Sequence, residues 1–123
     1  MGLTYLERMP DLVLWIHDAP PEPPYYATVF SSVKRDPRPG YDAMDEATMR
    51  AVTELEGYLG HQVVHHGDRS LFIAYWRDLE AIDAWREHTL HRMAKEKGRS
   101  DWYQRYRFEI CRVEQAAEFE RPE

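Results

Sequence analysis

The spacing of apolar residues changes several times along the chain, and each spacing is typical of one kind of element. Segments 25–33 and 70–76 are rich in aromatic and β-branched residues, and segment 59–67 contains two adjacent valines, so we predict a strand for each of the three. From Tyr41 to Glu56 the apolar residues recur at helical spacing and form one face, and Asp42 is predicted as the N-cap of this helix. The first part of the chain therefore predicts a strand, a helix and two further strands.

The same kinds of pattern continue towards the C-terminus. A second helix is predicted from Leu79 to about Gly98, with a bend where its apolar pattern weakens after Met93. Residues 102–114 alternate aromatic and charged side chains and predict a last strand. The letters "GDRS" predict a tight turn that joins the second and third strands as a hairpin.

The element order matches the ferredoxin-like βαββαβ plan of the α+β class. In this plan, two helices cover one face of a four-stranded antiparallel sheet. The third strand carries apolar side chains on both faces: Leu71, Ile73 and Tyr75 on one, and Phe72, Ala74 and Trp76 on the other. An apolar open face needs a cover, so we expect a second copy of the chain there, in a two-fold homodimer.

The two ends of the chain differ from this central part. Residues 1–24 are predicted to form an arm, which contains a short strand or helical turn at 12–16 and the proline-rich connector "APPEPP". The domain itself is expected at 25–115, and residues 116–123 form a polar tail. With 123 residues, the chain suits one hydrophobic core.

Composition narrows the classes of partner. The net charge of −6, without a basic stripe, argues against a nucleic-acid partner. The apolar run 12–16 is too short to span a membrane, and the single Cys111 suits a reducing compartment. We therefore expect a cytoplasmic protein that binds neither nucleic acid nor membrane, with Cys111 as a small buried side chain.

The stretch "AWREHTLH" places Trp85, His88 and His91 at three-residue steps on the second helix. The helical wheel predicts Trp85 inside, His88 at the border of the same face, and His91 turned further towards solvent or a partner chain. The segment provides no convergent third ligand, so a metal site is not favoured. The alternatives are a pocket wall with one polar group, or ordinary core packing beside exposed histidines.

The stretch "GRSDWYQRYR" combines arginine with aromatic residues, namely Arg99, Trp102, Tyr103 and Tyr106. An arginine beside such rings can bind a phenolate or carboxylate and stack on an aromatic ligand. The alternative is that Arg99 caps the helix C-terminus and that the tyrosines pack in a dimer core.

Four stretches together resemble the antibiotic biosynthesis monooxygenase domain family: "PEPPYYATVFSS", "YWRDLEAIDAWREH", "GRSDWYQRYR" and "RVEQAAEF". The resemblance covers roughly residues 21 to 119 and is nearest to the small stand-alone bacterial branch. It implies a dimeric α+β barrel built from two ferredoxin-like protomers. It also implies one of several activities, which include cofactor-independent oxygenation of aromatic polyketides and haem degradation.

The catalytic residues of that family carry over only in part. Trp76 stands where the polyketide monooxygenases have a tryptophan, but Phe72 replaces the asparagine found four residues earlier. Trp85 resembles the tryptophan of the haem-degrading branch, whereas Lys95 occupies the position of its histidine. The chain contains no asparagine at all. Neither catalytic set is complete.

The resemblance thus implies a cofactor-independent monooxygenase that acts on a small aromatic, quinol-like molecule. We expect His88 as proton acceptor and Trp76 as a second catalytic residue, with no metal and no cofactor. The expected substrate-binding residues are Trp85, Arg99, Trp102, Tyr103, Tyr106 and Phe72. The alternatives are a haem-binding or haem-degrading protein with His88 or His91 as iron ligand, and a dimer that binds a ligand without turnover.

Overall fold

The computed structural model describes residues 11–17 and 19–122, so much of the predicted arm, residues 1–10 and 18, lies outside the described residues. Five antiparallel strands form one sheet, in the order β1-β3-β4-β2-β5. The strands are β1 Leu14–Trp15, β2 Tyr25–Lys34, β3 Tyr58–His66, β4 Arg69–Trp76 and β5 Tyr103–Val113. The strands β2 to β5 have the ferredoxin-like order, which confirms the predicted fold class.

The N-terminal arm contributes the fifth strand. Its segment β1 is a strand rather than a helical turn, and it pairs Leu14 with His61 and Trp15 with Gly60 on β3. The predicted hairpin of β3 and β4 is confirmed, with Gly67 at a φ of +59° in the turn. Glycine adopts this left-handed conformation without steric cost.

The helices differ from the prediction at two points. They are α1 Tyr41–Thr53, α2 Leu79–Glu87 and α3 Thr89–Lys97, followed by a π-helical turn at Gly98–Trp102. The expected single helix from Leu79 to Gly98 is wrong, because the backbone of His88 is extended (φ −61°, ψ 132°). The Nδ1 atom of His88 accepts a hydrogen bond of 3.2 Å from the amide of Leu90 and caps α3.

The start of α1 also differs from the prediction. The expected N-cap at Asp42 is wrong, since the helix begins after Gly40, which has a φ of +83°. None of the helices in the described ranges is long and apolar enough to cross a membrane.

The packed core lies on the helix side of the sheet, at the end where β4 finishes. Its buried members are Val52, Tyr58, Ala74, Trp76, Ala81 and Ile82. Trp76 and Ile82 are each only 1% exposed. Burial of such large side chains anchors α1 and α2 at this end and holds the helices in place over the sheet.

The opposite face of the sheet carries apolar side chains without a covering helix from the described part of the chain. Trp15, Tyr25 and Tyr75 form an aromatic cluster there, with ring centroids 5.0–6.2 Å apart. Val64 is 62% exposed. The predicted burial of Cys111 is wrong for the single chain, since Cys111 is exposed on β5.

Candidate functional site

The strands arrange their helix-side residues in rows, because antiparallel partners lie directly opposite one another. The inner row contains His61, Ala74 and Thr28. The middle row contains Val63, Phe72, Phe30 and Phe108. The outer row contains His65, Ser70, Ser32 and Tyr106. An apolar middle row therefore separates two rows that carry polar groups.

A cavity of about 510 Å³ lies between these rows and the helices. Its helical wall includes Tyr41, Asp45 and Met49 of α1, Trp85 of α2 and His91 of α3. A cavity of this volume, with a largely apolar lining and a few polar groups, suits a small-molecule ligand.

The inner end of the cavity holds two hydrogen-bonded pairs. The indole Nε1 of Trp76 donates to Thr28 Oγ1 at 3.0 Å, and both residues are buried. The Tyr58 hydroxyl lies 2.6 Å from Nδ1 of His61. These two residues are three positions apart, and a regular strand would place them on opposite faces. A register shift between Tyr58 and Gly60 puts both on the helix side.

Burial keeps the groups of the inner end neutral at neutral pH. It raises the pKa of the Tyr58 hydroxyl. It also lowers the pKa of His61, an effect that the carboxylate of Asp45 opposes. The inner end therefore presents neutral hydrogen-bonding groups rather than charges.

The outer end holds a chain of three polar side chains. Lys34 Nζ donates to the Ser70 hydroxyl, and the same oxygen lies 2.7 Å from Nδ1 of His65. Lys34 is only 7% exposed, and burial is the main reason that its pKa is lowered. The positive charge of Arg38 lowers this pKa further. The outer end therefore contains a buried cation that is connected to the cavity through Ser70.

Asp45 is the one carboxylate among the described residues that line the cavity. Burial raises the pKa of this carboxyl group, while the positive charge of Lys34 lowers it. A carboxylate whose pKa is raised is a better proton acceptor than an ordinary one. Asp45 is therefore the acid–base candidate of the outer end.

Aromatic rings border the same end. The rings of Tyr41 and Tyr103 pack edge to face with centroids 6.1 Å apart, and burial raises the pKa of both hydroxyl groups. Arg99 Nε donates to the Tyr106 hydroxyl at 2.8 Å, and the Tyr106 ring stacks on Phe30 with centroids 5.3 Å apart. Arg99 thus contacts a cavity-lining tyrosine from the exposed side.

His91 lies on the helical wall between the two ends. Its ring centroid is 5.0 Å from that of Trp85, and its buried Nδ1 has no hydrogen-bond partner among the described residues. Burial lowers the pKa of His91 to about 4, and the positive charge of Lys95 adds to this. The predicted orientation of His91 towards solvent or a partner chain is wrong, since it lines the cavity.

Six of the residues predicted from the sequence line the cavity: Phe72, Trp76, Trp85, Arg99, Tyr103 and Tyr106. Trp102 does not, because it is buried behind Tyr41 and its Nε1 donates to the carbonyl of Pro39 at 2.9 Å. His88 is not among the lining residues either: it caps α3, and its ring centroid lies 5.1 Å from that of Trp85, so its role stays a prediction. The functional roles of the six lining residues stay predictions.

The sequence reasoning missed several polar lining residues, among them Asp45, His61 and His65. A signal for the histidines existed, since His61 and His65 are four apart on β3 and share a face. Asp45 lies four residues from both Tyr41 and Met49, on the face of α1 that lines the cavity. A single acidic residue on such a face was the available signal.

Metal ligation has no support in the described parts of the chain. They contain no group of three or more His, Cys, Asp or Glu side chains that could hold a metal ion. Haem binding through His88 or His91 stays a prediction, and the Leu90 amide already occupies Nδ1 of His88.

Comparison with known proteins places these observations in a family. The family model described as "Antibiotic biosynthesis monooxygenase" matches residues 24–97. The Bacillus subtilis (strain 168) protein named "Uncharacterized protein YqjZ" is 42% identical over 101 residues, which are 81% of this chain and 89% of that protein.

Solved structures show the same fold at low sequence identity. SnoaB, a cofactor-independent oxygenase from Streptomyces nogalater, is 11% identical with a TM-score of 0.64. The match covers 76% of this chain and 97% of SnoaB. A protein from Shewanella oneidensis is 11% identical with a TM-score of 0.65, over 73% of this chain and 91% of that one. With its matching family model and its Bacillus relative, the chain belongs to the antibiotic biosynthesis monooxygenase family.

Proposed function

We propose that the protein is a cofactor-independent monooxygenase that acts on a small, flat quinol. The observation that carries this proposal is the cavity, in which an aromatic middle row lies between two polar ends. Flat rings bind well between aromatic side chains, while polar groups at the ends fix the position of ring oxygens. Family membership supports the reaction class.

The reaction needs only the quinol and molecular oxygen. For 1,4-naphthohydroquinone, one oxygen atom forms a new carbon–oxygen bond at the ring carbon that loses its hydrogen. The O–O bond breaks, and the second oxygen atom leaves as water together with two hydrogen atoms of the substrate. The product is 2-hydroxy-1,4-naphthoquinone, and the substrate itself supplies all of the electrons. The protein contributes orientation, desolvation and proton transfer.

The roles of the side chains follow from where they lie. Phe72 and Trp85 would contact the rings of the substrate, and Trp76 closes the inner end. Arg99 would act with Tyr103 and Tyr106 at the outer end. We assign the role of proton acceptor to Asp45 instead of His88, because His88 lies outside the cavity.

Isotope labelling tests the proposal directly. The protein is mixed with 1,4-naphthohydroquinone under ¹⁸O₂, and the product is analysed by mass spectrometry. We expect 2-hydroxy-1,4-naphthoquinone with one labelled oxygen atom, formed faster than in a protein-free control. Unlabelled naphthoquinone with hydrogen peroxide would indicate a simple oxidase, and binding without oxygen uptake would indicate a ligand-binding protein. Either result contradicts the proposal.

A matched pair of variants tests whether oxygen uptake depends on the cavity or on the rest of the surface. Phe72→Glu introduces a charge into the apolar middle row and should abolish oxygen uptake. Met93→Glu makes a similar change on the exposed surface of α3, outside the cavity lining. It should leave uptake unchanged.

We also propose that the open face binds a second copy of this chain. Val64 and Leu71 are exposed there beside the Trp15, Tyr25 and Tyr75 cluster, and a two-fold dimer would cover them. Light scattering should give twice the chain mass for the wild type, and Val64→Lys should shift it towards the single mass. A monomeric wild type at micromolar concentration would contradict this proposal.

A further inference from the structure

We infer that the imidazole of His61, held in place by Tyr58, donates the hydrogen bond that fixes a ring oxygen of the ligand at the inner end of the cavity. The inference rests on the proposed function for the class of ligand, a flat aromatic ring that bears a carbonyl or hydroxyl oxygen. It assigns the recognition of that oxygen to a pair of side chains that no sequence motif identifies.

Tyr58 determines which nitrogen of His61 carries the proton. Tyr58 is 3% exposed, and the only hydrogen-bond partner of its hydroxyl among the described residues is Nδ1 of His61, at 2.6 Å. If Nδ1 carried the proton, the buried Tyr58 hydroxyl hydrogen would have no acceptor, which is costly. Tyr58 therefore donates to Nδ1, and His61 keeps its proton on Nε2.

Packing fixes the orientation of both rings. The Tyr58 ring meets the Trp76 ring edge to face, with centroids 5.2 Å apart. The His61 ring stacks on Phe72 of the middle row, with centroids 5.5 Å apart. His61 thus borders the place where an aromatic ligand would lie, and its Nε2–H, which has no partner among the described residues, is free for that ligand.

The other donor at this end is already engaged. The indole N–H of Trp76 is committed to Thr28 Oγ1, so it offers no hydrogen bond to a ligand. Burial lowers the pKa of His61, which keeps the ring neutral at neutral pH despite the nearby Asp45. A neutral, pre-oriented N–H suits a carbonyl or hydroxyl oxygen and loses little entropy on binding.

The first test concerns the tautomer and needs no substrate. In ¹⁵N-edited NMR spectra of the histidine rings, we expect His61 to be protonated on Nε2 alone. Tyr58→Phe keeps the ring but removes the hydroxyl, so the Nδ1-protonated form should appear. His66, an exposed histidine of the same strand, is the internal reference. A wild-type His61 protonated on Nδ1 would overturn the inference.

The second test uses 1,4-naphthoquinone as the probe and follows the quenching of tryptophan fluorescence. His61→Leu should weaken binding about tenfold, the loss expected for one hydrogen bond. His61→Gln retains an N–H donor and should stay within about threefold of the wild type. His66→Leu, which changes a histidine on the opposite face, should bind as the wild type does. Equal affinity of His61→Leu and wild type, or no binding by wild type, would refute the inference.

These readouts separate this inference from the proposed function. If the wild type binds naphthoquinone through His61 but consumes no oxygen with the quinol, the proposed function fails and the inference stands. If the quinol is oxygenated equally well by His61→Leu and by the wild type, the proposed function stands and the inference fails.

Discussion

The inner and outer ends of the cavity contain similar residue types but differ in their hydrogen bonding and in their ionisable groups. The inner end pairs Tyr58 with His61 and Trp76 with Thr28, so its polar groups are neutral and bonded in pairs. The outer end connects Lys34 through Ser70 to His65, with Asp45 in the same lining. One end therefore holds fixed dipoles and the other holds groups that can gain or lose protons.

Under the proposed function, this difference would separate ligand recognition from proton transfer. Fixed dipoles can hold a ligand oxygen in one place because they do not reorganise during a reaction. A proton acceptor needs the opposite property, a pKa that lies within reach of the working pH. In the cavity of about 510 Å³, the middle row places a layer of hydrocarbon between the two polar ends.

The largest expected effect is on stability, at the inner end. Trp76→Ala should lower the free energy of unfolding by about 3–5 kcal/mol, because it leaves a cavity in the core and removes the partner of Thr28. Trp85→Ala removes a partly exposed tryptophan and should cost clearly less. Urea unfolding of the two variants measures this contrast, and equal losses would show that the inner end is not the better packed one.

The next largest effect is expected on turnover, from a substitution at the outer end of the cavity. Asp45→Asn should reduce quinol oxygenation about 10²-fold, the usual contribution of a general base. The raised pKa of Asp45 predicts that wild-type activity falls as the pH drops through it, and the variant should lose this dependence. Glu46→Gln, a neighbouring exposed carboxylate on α1, is the control. A similar pH–rate profile for Asp45→Asn and wild type would remove Asp45 from the mechanism.

The helical wall gives a smaller, pH-dependent effect. The pKa of His91 is about 4 in the folded protein against an ordinary value of 6.5, so the unfolded state binds more protons between these values. Stability should therefore rise with pH across this window and fall as the pH drops from about 6.5 to about 4. With allowance for partial exposure, the loss is about 1–2 kcal/mol.

Thermal or urea unfolding at pH 7.5 and pH 5 measures this loss. The variant His91→Leu should show a flatter profile between the two pH values. A variant as pH-sensitive as the wild type would assign the effect to other groups.

The smallest effect is expected at His88, outside both ends. His88→Ala removes the cap of α3 and should cost about 1 kcal/mol of stability. Because His88 does not line the cavity, oxygen uptake with the quinol should stay at the wild-type level. A tenfold loss of oxygen uptake in a folded His88→Ala variant would show that His88 takes part in the reaction.

The sequence predicted the fold well because its signals are local. The alternation along Leu71 to Trp76 gave the two faces of β4 correctly, and the turn at Gly67 defined the hairpin. The break at His88 was missed because the chain has no proline or glycine there. It arises from a side-chain cap that only the folded backbone reveals.

The sequence predicted the aromatic lining of the candidate site but not the pairing of its polar groups. Large aromatic residues such as Trp76 and Trp85 point inward for simple reasons of burial. The pairing of Tyr58 with His61 depends on one extra residue in β3, and a strict two-residue repeat assigns them to opposite faces. Such a register shift arises from the way in which two strands pair. The sequence of one strand alone does not reveal it.

Gly60 lies at the register shift of β3 and also pairs with Trp15 of the N-terminal arm. It therefore affects where the chain can be truncated. A Cβ at position 60 would lie 2.4 Å from the carbonyl oxygen of Leu14, so the close approach of β1 requires glycine there. The stretch matched by the family model begins at residue 24 and excludes β1. A chain that begins at residue 24 would keep every cavity-lining side chain yet lose the strand that pairs beside the bulge. The matched stretch also ends at residue 97, before β5 with its lining residues Tyr103 and Tyr106, so the sheet that builds the cavity extends beyond the family segment at both ends.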